Sequence, residues 1–307
     1  MSGTSFLWLE ITGKCQLECV HCYAESGPAG SHGVMTRADW LRVLDEAAEL
    51  DVGMVQFIGG EPTLHPDLSE LVEYASSRGL AVEVFSNLVH VPPRFWEVFA
   101  LPGVRLACSY YSDDPGQHAA ITKRPSLERT RANIAEAVRR AIPLRVGVVD
   151  LADEQRSQQA VAELESLGVS EVGSDRLRQV GRGLRDEQAS TDQLCGNCAS
   201  GVLAITPTGE VWPCVFARWL PVGNVRTGPL GDILTGPELA RVRGQLSAHF
   251  EPVEMPCVPR MCDPQCGPNC GPACSPQGTR HPCGPRGGCR QNYQHAVAPV
   301  SAEHSRR

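Results

Sequence analysis

Two rhythms of apolar and polar residues alternate along the first 180 positions of the chain. Short apolar runs suit strands: FLWLEI at 6–11, GMVQFI at 53–58, LAVEVFS at 80–86, VRLACSYY at 104–111, PLRVGVV at 143–149 and VSEVGSDRLR at 169–178. Between them, apolar positions recur at helical spacing and predict helices over 36–50, 66–79, 92–101, 126–141 and 154–168. In the first of these Trp40, Leu41, Leu44, Ala47 and Ala48 share a stripe, with Thr36 as N-cap and Asp39 three residues on. Pro66 near the first turn and Gly79 past the last bracket the second.

Six such units in about 180 residues imply a parallel sheet with helices outside it. A closed eight-unit barrel takes about 250 residues. The expected fold is therefore α/β, an open, partial (βα)6 TIM-like barrel with its ligands at the C-terminal ends of the strands. The rhythm breaks in a polar stretch, 181–194, read as a linker. After it, 202–214 predicts a β-hairpin turning at TPTG, 236–250 predicts a helix, and 256–289 is Pro, Gly and Cys with no period. The expected organisation is a barrel over 1–180, the linker, and a small cysteine-rich domain over 195–307 with a hairpin, a helix and a Pro/Gly/Cys-rich tail. A tail of that composition buries little apolar surface, so something else must order it or it stays loose.

Composition narrows the chemistry. The 307 residues are 42% hydrophobic and 21% charged, the profile of a soluble globular protein. No apolar run reaches the roughly 18 residues of a membrane span, and the start lacks the marks of a secretion signal. A net charge of −7 speaks against a nucleic-acid partner. The 14 cysteines are unevenly placed: Cys15, Cys19, Cys22 and Cys108 precede residue 195, and the rest lie from Cys195 onward. In a cytoplasmic protein, the expected location, such clusters bind metal or do redox work.

CQLECVHCY, directly behind the first strand, spaces Cys15, Cys19 and Cys22 as C-x3-C-x2-C. Three thiolates leave a closed zinc site one ligand short, and a four-iron cubane with one open iron. In this the sequence resembles the radical SAM superfamily, whose motif has that spacing after the first barrel strand. QFIGGEP at 56–62 matches the family's GGEP motif behind the second. The resemblance implies a [4Fe–4S] cluster on Cys15, Cys19 and Cys22, and S-adenosylmethionine bound to its open iron. It also implies an electron donor such as flavodoxin or ferredoxin, and an enzyme that abstracts hydrogen through a 5′-deoxyadenosyl radical. Implied contacts to the S-adenosylmethionine are Tyr23, Gly59, Gly60, Glu61 (to the ammonium) and Pro62. Ser86 and Asn87 at the end of strand three, or a plain turn there, and Val148 beneath the adenine, complete the set. Cys108 reads as an inert buried thiol and His65 as a structural residue.

CGNCASGVLAITPTGEVWPC places Gly209 between Cys195 or Cys198 and Cys214 as in the SPASM and twitch extensions of that superfamily. The resemblance implies at least one auxiliary [4Fe–4S] cluster held on the hairpin, with Cys195, Cys198 and Cys214 as expected ligands and Cys257 as the candidate fourth. Cys257 is also a candidate hydrogen donor, a catalytic role that conflicts with ligation. The later cysteines depart from the SPASM spacing. Two substrate classes remain: a small molecule such as a cationic amino sugar, or a precursor peptide. Three features favour the first. Acidic residues gather near strand ends (Glu61, Asp113, Asp114, Asp150, Asp175). The chain opens directly on strand one with no leader-binding module. SYYSDDPGQH and RTRANIAEAVRRAIPLRVGVV are similar to the neomycin-pathway radical SAM epimerase. The expected reaction is epimerisation or oxidation of an amino sugar in antibiotic biosynthesis, the alternative maturation of a ribosomal peptide. A non-catalytic metal-binding module is the third reading.

Overall fold

The computed structural model describes residues 4–185 and 188–250. Six parallel strands succeed one another across the sheet: β1 (Phe6–Thr12), β2 (Met54–Gly59), β3 (Ala81–Phe85), β4 (Val104–Tyr110), β5 (Leu144–Asp150) and β6 (Glu171–Arg176). Helices α1 (Arg37–Glu49), α2 (Leu68–Ser77), α3 (Pro93–Phe99), α4 (Pro115–Thr122), α5 (Leu127–Arg139) and α6 (Ser157–Ser166) make the crossovers. The sheet is open, as the residue count required. The Thr36 cap of α1 forms in full: the Asp39 amide donates to Thr36 Oγ1 at 3.2 Å, and the Thr36 amide donates to Asp39 Oδ2 at 2.8 Å. Helix α4 was not foreseen. Its signal lies in DDPG: Asp114 caps the Gln117 amide at 2.8 Å and Pro115 takes the first turn, where no N–H is needed.

Past the 181–194 connection the chain crosses from β6, at one edge, to the far side of β1. Strand β7 (Val202–Ile205) pairs parallel with β1, and β8 (Glu210–Trp212) and β9 (Gly223–Asn224) continue antiparallel, giving one nine-stranded sheet in the order β6-β5-β4-β3-β2-β1-β7-β8-β9. Strand β1 is thus central, which is why all seven of its residues are buried. Helices α7 (Leu230–Thr235) and α8 (Pro237–Phe250) pack behind. One apolar core runs from Leu7, Leu9 and Phe57 through Leu203 and Ile205 to Leu239 and Leu246. No helix among the described residues is long and apolar enough to cross a membrane.

The N-terminal halves of the barrel strands are plugged by charge. Arg145 donates to both oxygens of Glu83 at 2.8 and 2.7 Å, Arg105 reaches Glu83 at 3.0 Å and Glu171 at 2.9 Å, and Gln56 donates to Glu83. Glu83, Gln56 and Arg145 are all buried. This plug forces any ligand to the opposite, C-terminal end of the strands.

Candidate functional site

A cavity of about 970 Å³, its open mouth included, lies at those C-terminal ends. Cys15, Cys19, Cys22 and Tyr23 form one wall, with Gly59, Gly60, Phe85, Asn87, Ser109, Tyr111 and Val149 from the ends of β2 to β5. The cysteine loop is tied down from several sides. The Cys15 amide donates to Gly27 O at 3.0 Å, and the Glu18 and Val20 amides donate to Thr122 O and Ile121 O, at the end of α4, at 3.1 and 2.9 Å. The Leu17 amide points at Cys15 Sγ at 3.4 Å and Asn87 Nδ2 at 3.7 Å, contacts that favour a thiolate there.

Burial, with Glu61 and the neighbouring thiols adding to it, pushes the Cys15 thiol up to about 12. Burial and the nearby Cys22 do the same for Cys19. Such thiols ionise only against a bound cation. Among the described residues no three His, Cys, Asp or Glu side chains converge as a single metal ion would require. Three thiols spread over one cavity wall suit a cubane instead, which takes each thiolate at a different corner. The donor set fits the SAM-binding cluster.

The two glycines at the end of β2 line the cavity and also bring backbone close to the cysteine loop. The Gly60 amide donates to Thr12 O at 2.7 Å and the Glu61 amide to Lys14 O at 2.8 Å, so this segment zips onto the start of the cysteine loop. Gly59 has φ +140° and a Cβ there would stand 2.3 Å from Thr12 O; a Cβ on Gly60 would stand 2.3 Å from Lys14 O. Glu61 is fully buried and does not line the cavity. Its Oε1 accepts from the Thr63 amide (3.1 Å), Thr63 Oγ1 (2.7 Å) and Ser86 Oγ (2.8 Å), and its Oε2 from the Asn87 amide (2.8 Å). Burial raises its pKa, and these donors oppose the rise. It ties the ends of β2 and β3 together. Pro62 opens the 3-10 turn Pro62–Leu64 beside it, buried like Ser86. Asn87 does face the cavity, its Oδ1 accepting from Gln16 Nε2 at 3.0 Å.

Val148 is the clear correction. Side chains alternate along a strand, and on β5 that alternation turns Val149 to the cavity and buries Val148 in the apolar core. Tyr23 lines the cavity, its ring edge-on to Phe216 at 5.2 Å. His21 meets Tyr111 edge-on at 4.9 Å, and burial, with Arg182 nearby, lowers its pKa to about 4, so the imidazole is neutral. Cys108 is buried in the core as anticipated, and so is His65, whose Nδ1 accepts from the Asp67 amide at 3.2 Å.

The acidic rim does not form. Asp113 is held by Arg156 at 2.7 and 2.6 Å, Asp114 caps α4, and Asp175 pairs with Arg178 at 3.1 Å. Of the five acidic residues only Asp175 lines the cavity, beside Arg176, Arg178 and Arg182. Sequence reading missed these arginines, which sit in RLRQVGRG at the end of β6 and in the supposed linker. It also missed Phe216, two residues beyond Cys214. Among the cysteines of the second group, Cys198 Sγ lies 2.9 Å from Cys214 Sγ, and hydrogen bonding with the Cys195 and Cys214 thiols drives the Cys198 pKa far up. Cys198 thus contacts both Cys195 and Cys214, and the hairpin between them turns at Gly209, φ +84°. Cys257 lies outside the described residues.

Known proteins agree with this arrangement. The radical SAM superfamily profile matches residues 9–157, and that of an iron–sulfur cluster-binding domain, SPASM, matches 195–271. A PqqA peptide cyclase of Xanthomonas campestris is 28% identical over 285 residues, 77% of this chain and 75% of that protein. The mycofactocin maturase MftC of Mycobacterium tuberculosis is 32% identical over 130 residues, 42% of this chain and 29% of that one. Among solved structures, Streptococcus suis SuiB bound to S-adenosylmethionine superposes with a TM-score of 0.66 at 16% identity, over 79% of this chain and 68% of that one. SuiB bound to its precursor peptide SuiA gives 0.68 at 14% identity, over 79% and 67%. At such identity the likeness to SuiB is one of fold. The two profiles bring with them a SAM-binding [4Fe–4S] cluster, S-adenosylmethionine and auxiliary iron–sulfur binding. The chain is an enzyme of the radical SAM superfamily, with a SPASM-type iron–sulfur domain behind its barrel.

Proposed function

We propose that this enzyme matures a ribosomally made peptide, removing a hydrogen atom from one residue of a precursor. The observation that carries this reading is the relative that spans most of the chain, a peptide cyclase. The cavity agrees in charge: with Asp113, Asp114 and Asp175 spent on caps and ion pairs, and Asp175 the single one of the acidic set on the wall, little there would attract a polycationic amino sugar. When bound, the cluster and S-adenosylmethionine supply the 5′-deoxyadenosyl radical, fed by a donor of the flavodoxin or ferredoxin kind. The chain's own residues do the rest. Cys15, Cys19 and Cys22 hold the cluster, and Asn87 and the Leu17 amide steady the Cys15 sulfur. Glu61 fixes the cavity wall through Ser86 and Asn87. Tyr23, Tyr111 and Phe216 give an apolar lining that keeps water from a radical. Cys195, Cys198 and Cys214 hold the auxiliary cluster.

The test is mass spectrometry of the anaerobically reconstituted enzyme with S-adenosylmethionine, dithionite and the short peptides encoded beside its gene. A peptide lighter by two hydrogens, formed with 5′-deoxyadenosine, is the expected product of a crosslink. A panel of aminoglycosides runs in parallel. A sugar converted while every peptide is left intact would overturn the reading.

A further inference from the structure

The 3-10 turn Gly181–Gly183, inside the stretch that reads as linker, is pressed onto the backbone of the cysteine loop. The Arg182 amide donates to Cys22 O at 3.1 Å, its Nε to Cys19 O at 2.9 Å and its Nη2 to Ser26 O at 2.6 Å. One residue thus holds carbonyls of two of the three cluster cysteines and one beyond them. The flanking glycines let it come this close. Gly181 has φ +58°, and a Cβ on it would stand 2.4 Å from Tyr23 O and 2.6 Å from Cys22 O. A Cβ on Gly183 would stand 2.6 Å from Arg178 O. Any side chain at Gly181 would push the turn off the loop.

We propose that Arg182 is a positioning residue for the SAM-binding cluster: its guanidinium clasps the cysteine loop and sets a fixed positive charge beside Cys19, raising the cluster's reduction potential. Arginine suits the task because it stays charged at any working pH and its planar fork reaches two acceptors at once. Net charge and hydrogen bonding around the sulfurs are what set an iron–sulfur potential, and a nearby cation favours the reduced, more negative cluster. Groups outside the ligands also govern how firmly ligands hold metal. With two of its side-chain nitrogens on loop carbonyls, Arg182 acts through the loop. The proposal rests on family membership and holds whichever substrate is turned over.

The experiment compares the full chain with Arg182→Gln, Arg182→Lys and Arg124→Gln, each reconstituted with iron and sulfide. Arg124 pairs with Glu18 at 2.6 Å on the exposed side of the same loop and serves as control. Thermal melts before reconstitution report folding. Paramagnetic resonance of the reduced protein, with and without S-adenosylmethionine, identifies this cluster as the one whose signal responds. A redox titration of that signal gives its potential. Arg182→Gln is expected to lose iron to a chelator roughly tenfold faster and to titrate at a lower potential. Arg182→Lys, with charge but no fork, is expected to recover the potential while still losing iron faster. Arg124→Gln is expected to match the unsubstituted chain. Wild-type iron retention and potential in Arg182→Gln would overturn the proposal, as would equal shifts in Arg124→Gln. Should Arg182→Gln fail to fold, Arg182→Lys decides: unchanged chelator resistance there removes the clasp.

Discussion

His118, on α4, is buried with its ring edge-on to Tyr110 and Tyr111 at 5.7 and 5.5 Å and its Nε2 3.2 Å from Ser126 Oγ. Burial lowers its pKa to about 4 from the ordinary 6.5, with Arg131 adding to the drop and a backbone contact at Ser112 opposing it. The folded state therefore favours the neutral ring. Its contribution is fully present above pH 6.5 and is lost as pH falls toward 4, because the unfolded chain takes up the proton first. At pH 5 the loss comes to about 2 kcal/mol. His118→Gln, neutral throughout, should lose about that much less stability between pH 7 and pH 5 than the unsubstituted chain. Denaturant midpoints at the two pH values measure this, and parallel declines would mean that His118 titrates normally. None of this was legible in the sequence, where His118 sits in a stretch with no element assigned. Glu61 is the opposite case. Its motif marks it out from sequence alone, yet only the fold shows its oxygens committed to Thr63, Ser86 and Asn87.

At the scale of elements, the six strands and the helices with clear apolar stripes were readable because burial of one face imposes its period on the sequence. What escaped were pieces defined by polar contacts: α4, short and opened by Asp114 and Pro115, and the Gly181–Gly183 turn, whose polarity looks like a linker. Val148 escaped for another reason. A central strand buried on both faces shows no alternation in its sequence, so its cavity side cannot be read from composition. The glycine pair of GGEP offers a sharp test of element fit. Gly60→Ala sets a methyl group against the Lys14 carbonyl, and the cysteine loop must move. Gly79→Ala, at φ +81° with nothing within 4 Å, meets only backbone strain of about 1 kcal/mol. Gly60→Ala should lose cluster iron and S-adenosylmethionine binding, while Gly79→Ala lowers the melting temperature slightly and keeps both. The charged plug gives a second test. Removing Glu83 takes from the buried Arg145 the carboxylate that accepts two of its N–H groups, while Arg105 keeps Glu171, so Glu83→Ala should cost about 3–5 kcal/mol in denaturant unfolding. A change below about 1 kcal/mol, the range of an exposed pair, would show the plug to be reached by water.

For the molecule as a whole, the hairpin with its thiols is an extension of the barrel sheet. Parallel pairing of β7 with β1 forms part of the join, backbone bonds from Val34 and Met35 to Pro207 O add to it, and Arg218 ties it further. Its Nη1 donates to Glu10 Oε1 and Oε2 at 2.9 and 3.1 Å, and its guanidinium lies 4.1 Å from the Trp212 ring and 5.7 Å from that of Tyr23. Glu10 is 2% exposed; burial raises its pKa and Arg218 opposes the rise. A bond of this kind, between the centre of β1 and the chain just past Cys214, makes the two family segments unfold together. Arg218→Ala leaves the Glu10 carboxylate buried without its counter-charge and should cost about 3–5 kcal/mol at neutral pH. The carboxyl can escape by taking up a proton, which the variant favours more than the parent does. Its deficit should therefore be larger at pH 8 than at pH 5. Melts followed by far-ultraviolet circular dichroism, which weighs the barrel, and by fluorescence, which includes Trp212 of the hairpin, should coincide in both proteins and shift together. A fluorescence transition that moves while the dichroism transition stays put would mean that the hairpin melts by itself, and that the sheet does not carry coupling from the auxiliary thiols to the SAM-binding loop.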